Sequence, residues 1–100
     1  MDFEIIGTGF FQNQIKGLDD KSKRILRGKI RLIKMNPFRY KRVHSKKFSR
    51  VHRVRLTIED KSARLAYSIV GKRIFLACLL DRDKDYKDLE KSLKEIEKLL

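Results

Sequence analysis

One cysteine in 100 residues, Cys78, is too few to close a disulfide within the chain or to build a thiolate zinc site. Such cysteine usage suits a reducing cytoplasm. No apolar run approaches the ~18 residues of a membrane span, and the longest, IFLACLL at 74–80, has the length of a strand. The opening residues MDFEIIGTGF begin acidic and lack the basic-then-apolar order of a signal peptide. His44 and His52 stand apart, with no cysteine or carboxylate nearby to complete a metal spacing. There is no P-loop, no GxGxxG and no Ser-His-Asp order. These absences argue against a secreted disulfide scaffold, a membrane protein and a nucleotide- or metal-dependent enzyme, so no cofactor and no membrane partner are expected.

The most informative absence is of negative charge. Between Lys21 and Ile58 there are fifteen lysines and arginines and not one Asp or Glu. From Asp81 onward the balance is nearly even, with seven acids against six bases. The net charge of +13 is therefore segregated. A field this one-sided draws in polyanions, and each phosphate it neutralises releases counterions. A surface that served solubility alone would mix both signs. The length fits one small domain over residues 1–100, and the 41% apolar content is enough for one core.

Hydrophobic periodicity gives the order of elements. DFEII at 2–6 reads as a short strand, broken by Gly7-Thr8-Gly9, with Thr8 placed to cap a helix over 10–17. Asp19 or Asp20 caps a second helix whose buried stripe is Ile25, Leu26, Ile30, Leu32 and Ile33, and Asn36-Pro37 ends it. FRYKRVHSKKFSR, from 38 to 50, is basic with aromatics interleaved and reads as a loop, with room for a short strand around 41–44. Val51–Ile58 alternates, EDKS is a turn, and Ala63–Val70 alternates again. Gly71-Lys72 fits a II′ hairpin turn. Arg73–Leu80 is apolar on both faces, as a covered central strand would be. A final helix over 86–100 carries Leu89, Leu93, Ile96 and Leu100 on one stripe and is expected to pack at the sheet edge. The class is α+β, in the order β-α-α-β-β-β-α, an antiparallel-rich sheet with a helical hairpin on one face.

On that sheet Val54, Leu56 and Ile58 point to one side, and Arg53 and Arg55 to the other with Arg64 of the next strand. Guanidinium forks on strands make a rigid anion site, because strand side chains are held firmly. Lys46, Lys47 and Arg50 of the basic stretch extend the phosphate-binding set, and His44 is the candidate there for proton transfer, as an imidazole titrates near neutrality. His52 falls in the apolar phase of its strand and reads as structural, as does Cys78.

HRVRL, then ARLAYSIV, a glycine turn, an apolar strand and DRDKDY together resemble the RelE/ParE toxin superfamily, as does the NP that closes the basic helical hairpin. The likeness runs over nearly the whole chain and lies in the order of short motifs. It implies a RelE-like sheet with a helical hairpin on one face. By that resemblance the activity is metal-independent cleavage of ribosome-bound mRNA by the toxin of a type II toxin–antitoxin pair, with an antitoxin, mRNA and the ribosome as partners. Arg53 and Arg55 match the basic pair before the RLxY motif, and Arg64 is the arginine of that motif. Arg82 and Tyr86 match the arginine and tyrosine after the last strand. These imply catalytic roles for Arg64, Arg82 and Tyr86. The chain departs from the pattern where relatives often carry lysines, at Arg53 and Arg55, because a guanidinium with a pKa above about 12 is a poor proton acceptor. No histidine follows Tyr86 either. The general base is unassigned, which keeps open a non-catalytic nucleic-acid-binding protein of RelE fold or a ParE-like toxin directed at gyrase.

Overall fold

Thr8 both ends the first strand, β1 (Glu4–Gly7), and starts the first helix, α1 (Gly9–Lys16). Its hydroxyl accepts from Phe11 N at 3.0 Å and donates to the Ala77 carbonyl at 2.7 Å, so one buried side chain ties cap to sheet. Asp19 caps the second helix, α2 (Asp20–Met35), accepting from Ser22 N at 2.8 Å. Hydrogen bonds from Ser22, the hydroxyl before the amide, hold the Asp19 carboxyl below the usual range. The computed structural model describes residues 2–43, 50–81 and 87–100.

The other elements are β2 (Lys41–Val43), β3 (Val51–Ile58), β4 (Lys61–Val70), β5 (Arg73–Asp81) and α3 (Lys87–Leu99). The sheet order is β1-β5-β4-β3-β2, with β1 parallel to β5 and the other pairs antiparallel. The short strand allowed for around 41–44 is β2, paired to β3 as a fifth strand. Two readings of the sequence are corrected here. The turn after β3 is two residues and not four, because Glu59 (φ 51°) and Asp60 (φ 62°) take left-handed backbone that such residues seldom adopt. The final helix lies over the sheet face above β5 and not on an edge, since Leu89, Leu93 and Ile96 pack with Phe75, Ala77 and Cys78. Gly71 (φ 60°) has the positive φ of the expected II′ turn.

Alternation divides the core into two layers. Val54, Leu56, Ile58, Leu65, Tyr67 and Ile69 pack under α1 and α2 with Phe11, Leu26 and Ile33. Val51, Ala66, Phe75, Cys78 and Leu80 lie on the other face, under α3. A bulge in β5 keeps both sides filled: Ala66 pairs with Cys78 and Tyr67 with Leu76, so Ala77 is the extra residue. Ala77 and Cys78 therefore both belong to the α3 side, and Leu79 returns to the α2 side.

Two side chains close the ends of this arrangement. Beyond β1, the Gln14 amide donates to Leu79 O at 2.9 Å and accepts from Leu79 N at 2.7 Å, standing in for a missing strand. From α3, the Glu95 carboxylate accepts from Gly9 N at 2.6 Å and Phe10 N at 3.3 Å, at the positive end of α1. α3 is thereby tied to α1 as well as to the sheet.

Candidate nucleic-acid interface

Among the described residues α3 packs on its face of the sheet mainly against β5. Arg53, Arg55 and Arg64 lie on that side by strand alternation, with Arg55 exposed and the other two half-buried. Their register is specific. Arg55 stands directly opposite Arg64, and Lys41 directly opposite Arg53. Facing strand residues have Cβ atoms about 4.5–5.5 Å apart, and like charges so placed destabilise a sheet by up to about 1 kcal/mol. Arg53 and Arg55, two residues apart on one strand, are separated by about 7 Å. The four cations therefore form two adjacent rungs of positive charge, bordered at the hairpin end by Thr57 opposite Ser62.

The alternative role for these arginines is pairing with Glu59 and Asp60. Among the described residues Arg55 and Arg64 make no ion pair, whereas at the β1 edge of the sheet Arg73 lies 3.8 Å from Glu4. Lys41 is the member that reading the sequence did not place in the site. Its signal was the short strand around 41–44, whose register could not be known beforehand.

Arg50 is not brought to this face. Its guanidinium carbon lies 5.1 Å from the centre of the Phe38 ring, and Phe38 meets His52 edge-on at 6.4 Å on the α2 side of the sheet. Arg82 and Tyr86 lie outside the described residues, as do His44, Lys46 and Lys47. Arg64 pairs with Leu80 in the register, so β5 ends at Asp81 beside that arginine. Among the described residues no group of acids, histidines and cysteines could hold a metal, and no helix is long and apolar enough to cross a membrane.

A cleft of about 350 Å³ lies at the hairpin end between the sheet and α1, walled by Leu18, Ile58 and Leu79. Glu59, Asp81 and Asp88 also line it, so its charge opposes a phosphate. The arginine face, and not this cleft, suits a polyanion.

His52 and Cys78 take the structural roles expected of them. His52 is buried, its Nδ1 lies 2.8 Å from Tyr40 O, and its ring stacks on Tyr67 at 5.5 Å. Cys78 is buried beneath Ser92 of α3, and burial pushes its thiol up to about 12, against the Ser92 hydrogen bond that lowers it. Burial, and then Tyr40, pushes the Tyr67 phenol up too. An unfolded thiol loses its proton near 9, whereas the folded one keeps it to about 12. Stability from this source is thus complete below about pH 9 and falls as pH rises toward 12. Urea titrations at pH 8 and pH 10.5 should give the lower midpoint at the higher pH, and Cys78→Ala should reduce that difference.

No family model and no curated protein matches the sequence. Among solved structures, the E. coli toxin RelE in the free state, a mutant with two arginines changed to alanine, superposes with a TM-score of 0.70. The match covers 100% of both chains at 12% identity. At that identity the likeness is one of architecture. The mixed sheet with helices on both faces, and the arginine rungs it carries, are built on the RelE fold.

Proposed function

We propose that this protein is the toxin of a type II toxin–antitoxin pair and that it cleaves ribosome-bound mRNA without a metal. The observation that carries the reading is Arg55, exposed, set directly across from Arg64, with no acid paired to either among the described residues. Two facing guanidinium groups oppose folding unless an anion joins them, and a phosphodiester supplies that anion. In the reaction the ribose 2′-oxygen bonds to the adjacent phosphorus and the bond from phosphorus to the 5′-oxygen breaks. A base takes the 2′-hydroxyl proton and an acid returns one to the leaving oxygen. Arg64, with Arg55, meets the charge that builds on the phosphorane oxygens. Arg53 and Lys41 hold the flanking backbone. Arg82, two residues beyond the partner of Arg64, adds charge, and Tyr86 stacks on a base or passes a proton. His44, Lys46 and Lys47 extend the RNA contacts. The cognate antitoxin, the mRNA and the ribosome are the partners, in the cytoplasm.

A second reading has an observation of its own. The strand positions beside Arg55 and Arg64 on this face are Lys41, Arg53, Thr57, Ser62 and Ala66, none of them a carboxylate or imidazole that could act as base, and guanidinium groups are poor acceptors. A RelE-fold protein that binds nucleic acid without cutting it, or a ParE-like toxin, would need none. Controlled expression in a bacterial host with mapping of mRNA ends separates the readings. Growth arrest with new ends inside translated codons, absent for Arg64→Ala, is the expected result. Arrest without new ends would replace it with the ParE-like reading.

A further inference from the structure

The outer face of α2 is a second basic surface, on the side of the sheet away from Arg55 and Arg64. From Lys21 to Met35 the helix carries seven lysines and arginines and no acid. Leu26 and Ile33 are buried toward the sheet, while Arg24, Arg27, Arg31 and Lys34 are exposed. Those four recur at three- and four-residue steps, a straight stripe about 15 Å long. Among the described residues none of the four forms an ion pair.

Gly28 stands in the middle of this stripe, exposed and inside a regular helix. A glycine there costs about 1 kcal/mol relative to alanine. Packing does not require it: a Cβ at Gly28 would have no atom within 4 Å. The helix thus forgoes stability for nothing within the chain. A bare backbone surrounded by arginines is what a closely approaching phosphate chain would need.

We propose that the outer face of α2 binds the phosphate backbone of a double-helical nucleic acid, seated against Gly28 and held by Arg24, Arg27 and Arg31. A straight, rigid row of cations complements the regular phosphate row of a duplex, and the phosphates alone supply the recognition. This does not depend on the cleavage reading, because it uses a face that the arginines of β3 and β4 do not share. With both faces occupied, the protein would join a duplex on one side to a strand on the other.

The test is fluorescence anisotropy of the full chain with labelled RNA and DNA duplexes of about 20 base pairs, between about 50 and 200 mM NaCl. A triple variant, Arg24→Ala, Arg27→Ala and Arg31→Ala, should bind the duplex about tenfold or more weakly. Its plot of log affinity against log salt should flatten by about 2–3 units. RNA and DNA duplexes losing affinity alike fits recognition through phosphates. Lys91→Ala, Lys94→Ala and Lys98→Ala remove equal charge at the same spacing from α3, where acids are interleaved, and should change binding little. Gly28→Ala should raise the melting temperature by about 4–8 °C, and Gly28→Leu should weaken duplex binding while the helix stays folded. Equal loss in the two triple variants would overturn the proposal in favour of bulk charge. Unchanged binding by Gly28→Leu would remove the seat at the glycine, and poly-glutamate displacing the duplex more strongly from wild type than a competing duplex does would point to a protein partner instead.

Discussion

If the cleavage reading holds, Arg64→Ala should lower cleavage of ribosome-bound mRNA by purified protein by about 10²–10³-fold, the usual loss when one charge-stabilising donor is removed from a phosphoryl- or acyl-transfer site. The same change should leave the protein as stable as wild type or more so. Arg64 is held opposite Arg55, and removing either cation relieves a like-charge contact of up to about 1 kcal/mol. A substitution that disables a protein usually harms its core; here the two readouts should move apart. Added salt should make the same point. Wild-type stability should rise between low and moderate ionic strength as the repulsion is screened, and the variant should respond less. Paired kinetic and urea measurements on wild type, Arg64→Ala and Arg55→Ala decide it. Parallel loss of activity and stability would mean that these arginines hold the sheet and do not await a ligand.

Tyr67→Ala should have the largest effect on stability. The ring is fully buried, stacks on His52 at 5.5 Å, and its hydroxyl donates to Pro37 O at 2.6 Å. His52 in turn meets Tyr40 O at 2.8 Å and Phe38 edge-on, and Phe38 meets Phe3. One tyrosine therefore anchors the segment from Asn36 to Tyr40, which carries the chain out of α2 and into β2. Losing a large aromatic from a core costs about 3–5 kcal/mol, and the Pro37 carbonyl left buried adds about 1–3 kcal/mol. Against a total of about 5–15 kcal/mol for a small domain, little folded protein should remain. Tyr67→Phe keeps the ring and should cost only the hydrogen bond, about 1–2 kcal/mol. Urea unfolding followed by circular dichroism gives both values, and near-equal midpoints for the two variants would show that the ring contributes little.

The features legible in the sequence are those set by neighbouring residues. Thr8 and Asp19 cap helices because a hydroxyl or carboxylate reaches an amide three residues on, and Gly71 turns the chain because it tolerates positive φ. Alternation placed Arg53, Arg55 and Arg64 on the side away from α2. Which of them face each other was not legible, because register follows turn length. A two-residue turn at Glu59-Asp60 pairs Ile58 with Lys61 and so Arg55 with Arg64. Neither residue advertises left-handed backbone, and the turn read as four residues. The bulge at Ala77 was hidden for a related reason, since an apolar strand covered on both faces shows no break in phase. Gln14 and Glu95 were invisible for a third: each satisfies backbone amides far away in sequence, 65 residues for Gln14 and 86 for Glu95 with Gly9.

The pairing of β1 with β5 sets the order in which a nascent chain can acquire this structure. β3 and β4 are joined by a tight turn, so the Arg55–Arg64 rung closes from local contacts and at little entropic expense. β1 must wait, because its partners Arg73–Leu76 emerge long after it. α3 comes later still, and its Glu95 completes the cap on α1 only once that helix has emerged. The arginine hairpin can thus pair early, while β1 and the cap on α1 are completed only by elements that emerge later.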